Sequence, residues 1–392
     1  MTRILLKPRR AMPFIYRHPW VFSGAVDRID GALKSGDVVE VVGDRGDLIG
    51  RGLYSAESQI AVRLVSWQPD EAIDDAFFRR RVAEAVALRE RLAPLSEGQT
   101  ARRVVFSEAD GLPGLIVDQY GEWLVAQFLS FGLDQRREVL LGALEEQLHP
   151  RGIFERSDVD VREKEGLPRR AGLARGAEPP ERIPIHDGGL AFEVDVRAGQ
   201  KTGHYLDQRE NRAAAARFAP GRTVLDAYCY SGGFGIAASK GGASRVVCLD
   251  SSRPALDLAR RNADRNACTN VEFLQTDAVG FLRQQAERSL GMVVLDPPGL
   301  ARAARNVDSV LALYADLYAA SMRALEADGV LTACCCSQHI APDQILRTLN
   351  AAAVHANRRL RVVGTRGQPA DHPVAANCPE TAYLKCFICW VS

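Results

Sequence analysis

Two absences stand out in this 392-residue sequence: no cysteine precedes Cys229, and no acidic residue occurs among the first 26 positions. Net charge is nearly absent as well, with 50 Lys and Arg against 49 Asp and Glu for a formal +1 at pH 7. That balance excludes a uniformly basic protein that coats nucleic acid, yet it leaves room for a local basic face. No run of about 18 uncharged apolar residues occurs, so no membrane-spanning helix is expected. Arg3, Lys7, Arg9 and Arg10 break up the opening residues, so a signal peptide is not expected either. The nine cysteines are an odd number and bunch late in the chain, which argues against a disulfide framework. Reduced thiols and a cytoplasmic location are the expectation.

What is present suits a large soluble fold. Hydrophobic residues make up 46% and charged residues 25%, which excludes wholesale disorder. At roughly 100–200 residues per domain, the length predicts two or three domains. Residues 1–72 read as a small β-barrel, from the short runs Val38–Val42, Leu48–Tyr54 and Ile60–Trp67 with turns between them. The acid-free opening segment carries Arg9, Arg10 and Arg17 interleaved with Phe14, Tyr16, Trp20 and Phe22. Such a segment suits phosphates and stacked bases, or else a solvated arm whose aromatics pack in the barrel.

Residues 73–183 read as a middle α+β unit. It has a helix over 74–92, strands near 104–106, 115–117, 123–128 and 152–156, and a second helix over 134–148. Glycines and prolines between Glu163 and Pro184 suggest that it ends in a polar linker. Residues 184–392 alternate apolar strands with helices, the pattern of a parallel sheet covered on both faces. Ligands in such α/β sheets sit beyond the C-terminal strand ends.

Those ends carry the chemistry. Val224 to Gly235 is a strand, a turn (Asp226, Tyr228, Gly232, Gly233) and a helix start, and it matches the dinucleotide fingerprint only weakly. Asp226 before the glycines would repel a pyrophosphate and attract a cationic ligand end, which favours S-adenosylmethionine over a nicotinamide. Asp250 ends the next strand and suits a ribose diol, and Asp277 ends the third and suits an adenine amine. The competing reading is that each carboxylate caps a helix.

The fourth strand ends in Asp296-Pro297-Pro298-Gly299, a stiff wall for a flat base. The fifth ends in Cys334-Cys335-Cys336-Ser337, and Cys336, last on the strand, is the candidate nucleophile. Cys386 and Cys389 have metal-ligand spacing, but within a strand they point to opposite faces, so no metal is expected.

These motifs resemble the RlmI-type family of bacterial class I methyltransferases, which form 5-methylcytosine in large-subunit ribosomal RNA. The resemblance rests on Phe192–Asp195, the block Gly199-Gln-Lys-Thr-Gly-His running to Arg212, Leu225–Gly235 and Asp296–Pro298. It extends to Cys336-Ser337, Ala370–Pro373, Arg17–Gly24 and Phe106–Leu115, so it covers nearly the whole chain. It implies an N-terminal PUA-like barrel, a middle α+β unit and a C-terminal Rossmann-like methyltransferase domain. It further implies Gln200, Thr202 and Gly203 against the cofactor, Cys336 as nucleophile, Asp296 on the target base, and RNA contact at Arg9, Arg10, Arg17 and Trp20. The chain departs from the family at Gly299, where Lys is common, and at His204, where an aromatic such as Phe is common. Methylation of a base nitrogen without a thiol, a catalytically silent RNA-binding assembly factor and a nicotinamide dehydrogenase are the competing functions. The sequence also leaves a homodimer open.

Overall fold

A computed structural model of the protein describes residues 1–300 and 304–392. Two compact units emerge. One comprises Met1–Ile185, Val194–His204 and Ala370–Thr381, the other His186–Glu193, Tyr205–Pro369 and Ala382–Ser392.

The first unit begins with β1 (Arg3–Leu6), β2 (Trp20–Phe22), β3 (Val26–Asp30), β4 (Val38–Val42), β5 (Leu48–Tyr54) and β6 (Ile60–Ser66). They form one sheet in the order β2-β6-β5-β4-β1-β3, closed over Ile4, Val39, Val41, Val62 and Leu64. A second sheet orders β11 (Arg170–Gly176), β10 (Gly152–Ser157), β9 (Trp123–Phe128), β8 (Leu115–Tyr120) and β7 (Ala101–Phe106). The helices Asp75–Leu92 and Arg137–Leu148 cover it, burying Phe78, Val82, Leu140, Leu141 and Leu144. Asp74 caps the first of these helices by accepting the Phe77 N–H at 2.9 Å.

Strand β6 shows why residue 72 is not a boundary between compact units. Its Val62 and Leu64 point into the barrel core, whereas Val65 on the opposite face joins the core of the second sheet. Arg63, on that same second face, forms a two-pronged buried ion pair with Glu165 at 2.8 and 3.1 Å. The expected linker over 163–184 is also ordered. Asp160–Glu165 is a 3-10 turn, and β11 pairs antiparallel with β10. An exposed edge strand rich in Gly and Arg carries no apolar alternation, so its sequence reads as loop.

After the hairpin β12 (Ile183–Asp187) and β13 (Leu190–Val194), the second unit builds its main sheet. The strands are β14 (Thr223–Ala227), β15 (Arg245–Asp250), β16 (Val271–Gln275), β17 (Leu290–Leu295), β18 (Leu325–Cys335), β19 (Leu360–Arg366) and β20 (Lys385–Val391). Their order is β16-β15-β14-β17-β18-β20-β19, parallel through β18, with β20 antiparallel to both neighbours. Alternate residues serve two cores. Leu225, Val247, Val293, Leu331 and Cys335 face one side, while Val224, Cys248, Val294 and Cys334 face the other. The order reverses at β14, between β15 and β17, which is the position for a ligand crevice.

Replacing Arg63 with Met should leave Glu165 buried without its partner and cost about 3–5 kcal/mol in urea unfolding. Adding Glu165→Leu should recover most of that loss. A single variant as stable as the parent would contradict the pairing.

Candidate active site

Beyond β14 the backbone turns sharply. Tyr228, Tyr230 and Gly232 have φ values of 65°, 47° and 80°. Two non-glycine residues in the left-handed region cost of order 1–3 kcal/mol each, strain that surrounding structure must hold. Gly235 follows on the first helical turn, where a Cβ would collide with Cys248 Sγ. Helix and strand can approach this closely only with glycine there.

Asp226 does not line the crevice as an open carboxylate, contrary to the sequence expectation. Strand parity places it on the inner face with Val224 and Val294, only 1% exposed. One oxygen accepts the Gly235 N–H at 2.7 Å, and Oδ1 has no hydrogen-bond partner. Burial pushes its carboxyl up to about 7, aided by the charges of Asp296 and Asp250 and opposed by the Gly235 N–H and Arg212. Asp226 therefore holds the turn together through the Gly235 N–H.

Asp250 is half-exposed at the end of β15, accepting the Tyr230 N–H at 3.0 Å and the Ser252 N–H at 2.9 Å. A carboxylate has about four acceptor positions, so lone pairs remain for a ribose diol. Asp277 is exposed and caps the helix Ala278–Gln284 by accepting the Gly280 N–H at 2.7 Å, so for this residue the capping role is observed. Both carboxylates, after burial itself, push the Tyr228 hydroxyl up to about 12, so Tyr228, Asp250 and Asp277 share one neighbourhood. Glycine-bearing turn, half-exposed carboxylate and aromatic together fit an adenosine-bearing ligand.

Beside this wall, Asp296 ends β17. Gln208 Nε2 donates to Asp296 Oδ1 at 2.9 Å, and Asn211 Nδ2 donates to Gln208 Oε1 at 2.7 Å and to the Gly367 carbonyl at 3.1 Å. That chain fixes which end of the Gln208 amide faces Asp296. Neither Gln208 nor Asn211 stood out in the sequence beyond the block that contains them. Tyr205 and Tyr230 meet edge to face, with ring centroids 5.4 Å apart. Of the three tandem cysteines, Cys334 and Cys335 are fully buried and Cys336 is partly exposed. A Cβ on Gly299 would sit 3.6 Å from Cys336 Sγ, in ordinary contact.

The other expected contacts fall in the first unit. Gln200 is exposed, and Gly203 has a φ of 129° with no room for a side chain against Val194 and Asp195. The Thr202 hydroxyl is buried, donating to Asp118 Oδ2 at 2.5 Å beside the Tyr120 hydroxyl at 3.0 Å, so the middle sheet holds this loop. Arg9, Arg10 and Arg17 are exposed, with no ion pair among the described residues. Trp20 is half-buried and donates its indole N–H to Glu108 at 2.8 Å, whereas Tyr16 and Phe22 are the exposed aromatics of this segment.

As parity requires, Cys386 and Cys389 fall in different cores. His18, Cys378 and Glu380 do converge, with one ligand atom each within 4.8 Å. Yet His18 Nδ1 accepts the Trp20 N–H at 3.2 Å, which puts the ring proton on Nε2, facing Glu380 at 3.2 Å. That tautomer makes a hydrogen bond and leaves no lone pair for a metal.

Comparison with known proteins decides the family. Residues 4–67 match a PUA-like domain, and residues 162–379 match the S-adenosylmethionine-dependent methyltransferase family. Ribosomal RNA large subunit methyltransferase I of Photobacterium profundum is 40% identical over 100% of this chain and 99% of its own. The Escherichia coli protein of the same name is 38% identical over the same shares. This chain belongs to that methyltransferase family. It is an S-adenosylmethionine-dependent enzyme with an N-terminal PUA-like domain. A crystal structure of a methyltransferase complexed with SAH shares the fold, with a TM-score of 0.85 at 20% identity and all of both chains covered. A structure described as an S-adenosylmethionine-dependent methyltransferase from Streptococcus mutans gives 0.84, again at 20% identity over all of both chains.

The buried Asp226 gives the methyltransferase a pH signature. Its carboxyl lies near 3.8 when unfolded and about 7 when folded, so the native state holds the proton more tightly. Stability from this group is complete below pH 4 and lost as pH rises through 7, by at most about 4 kcal/mol. In urea unfolding, Asp226→Asn should gain on the parent steadily between pH 4 and 7 and then level off. A pH-independent difference would show that Asp226 is charged throughout.

Proposed function

We propose that this enzyme methylates carbon 5 of a cytosine in large-subunit (23S) ribosomal RNA through a covalent adduct with Cys336. The observation that carries this reading is the partial exposure of Cys336 at the end of β18, while Cys334 and Cys335 are sealed in the two cores.

Carbon 5 of cytosine is a weak nucleophile. Attack of the Cys336 thiolate on carbon 6 forms an S–C bond and makes carbon 5 enamine-like, able to take the methyl group. Loss of the carbon 5 proton to a base then expels the thiolate and restores the ring. S-adenosylmethionine supplies the electrophilic methyl when bound. We assign its binding to Tyr228, Gly232, Gly233, Asp250 and Asp277, with Asp226 bracing the turn and, on the family resemblance, Gln200, Thr202 and Gly203 contributing. Asp296, oriented by Gln208, accepts from the exocyclic amine of cytosine, a donor that uracil lacks. Pro297 and Pro298 keep that edge stiff.

The names of the relatives support ribosomal RNA as substrate and hence a cytoplasmic site of action. The PUA-like segment supports RNA contact through Arg9, Arg10 and Arg17, with Tyr16 and Phe22 as stacking surfaces and Trp20 as their support.

Cys336→Ala should bind S-adenosylmethionine with unchanged affinity by calorimetry yet leave no 5-methylcytosine in ribosomal RNA mapped by mass spectrometry. Methylation that persists in this variant would move the target to a nitrogen and remove the thiol from the reaction.

A further inference from the structure

Lys385 opens β20 directly across from Cys335 on β18. Its side chain is buried, with the residue 6% exposed, and its Nζ donates to the Ser337 carbonyl at 2.6 Å. Among the described residues no carboxylate pairs with it. A buried ammonium satisfied by one carbonyl is costly unless an anion stands nearby. Burial pushes this ammonium down, and charge on Cys335 and Cys336 acts the other way.

Two thiols could supply the anion. Cys335 is fully buried in the core with Leu331, Ala333 and Tyr314, out of reach of a substrate. Cys336 is partly exposed and directly precedes Ser337, whose carbonyl Lys385 grips. Tyr205, Tyr314 and Lys385 all sense charge at Cys336, and Asp296 acts on Tyr205 from the end of β17. The tyrosine hydroxyls are pushed up and stay protonated near pH 7, whereas the Lys385 ammonium favours a thiolate.

We propose that Lys385 is a positioning residue whose buried ammonium is the counter-charge of the Cys336 thiolate and whose bond to Ser337 fixes the end of β18. The proposal rests on the reading of Cys336 as nucleophile, and it adds what makes that thiol reactive near neutral pH.

The test is the rate of iodoacetamide alkylation of Cys336 against pH, read on its peptide by mass spectrometry in the full chain. In Lys385→Met the alkylation midpoint should rise by roughly one to two pH units, and in Lys385→Arg it should stay near the parent value. In step with this, kcat should fall about tenfold at pH 7 and recover at alkaline pH, with KM for RNA unchanged. Lys385→Gln serves as a second neutral variant should the Met variant not fold. An unchanged midpoint in a folded neutral variant would overturn the proposal. A shifted midpoint alongside a fully active Cys336→Ala would keep the ion pair and discard only the nucleophile.

Discussion

The register of the parallel sheet is the constraint on which the rest depends. Ala227 lies opposite Leu249 on one side and Leu295 on the other, and Leu295 lies opposite Ala333. β14 and β17 therefore finish level, β15 runs one residue further and β18 two, and the residues at or just past these ends emerge along one edge. Tyr228, Asp250, Asp296 and Cys336 are scattered over more than a hundred positions of sequence, yet this alignment gathers them. A slip of one residue in β18 would exchange the faces of Cys334 and Cys335 and carry Cys336 with them.

Around that edge, polar side chains bond the backbone and one another. Asp226 ties the first helical turn to β14, Asp250 ties Tyr230 and Ser252, and Asn211 steadies Gln208, which steadies Asp296. Each such bond is worth about 1 kcal/mol net, but leaving a buried partner unmade costs more. These networks therefore set geometry more than they add stability. In the first unit, Asp118 works likewise, accepting from both Arg103 and Thr202.

Much of this was legible in the sequence, and the misses share physical causes. Strands buried on both faces, such as Arg245–Asp250 and Leu290–Leu295, announce themselves as apolar runs. Edge strands such as Arg170–Gly176 and Leu360–Arg366 are mostly exposed, so nothing in their side chains demands a strand. Cys336 could be singled out as the cysteine nearest the strand's end, although β18 itself stops one residue earlier, at Cys335. Strand parity, applied to Asp226, would have shown it facing inward; proximity to the glycines drew attention to its charge instead. Lys385 hid in an apolar run, where a lone cation looks like an edge residue until its burial is seen. That residues on both sides of position 72 form one compact unit could not be read, because Arg63 and Glu165 are 102 positions apart and only the fold pairs them.

The account's central claim is covalent catalysis at Cys336, and one measurement addresses it most directly. A target RNA carrying 5-fluorocytosine has no proton at carbon 5 to lose, so an adduct formed during methyl transfer cannot resolve. Incubated with the enzyme and S-adenosylmethionine, it should yield a stable protein–RNA complex with the nucleotide attached to the Cys336 peptide. A preparation that methylates the unfluorinated RNA but traps nothing, or traps on Cys334 or Cys335, would contradict the account.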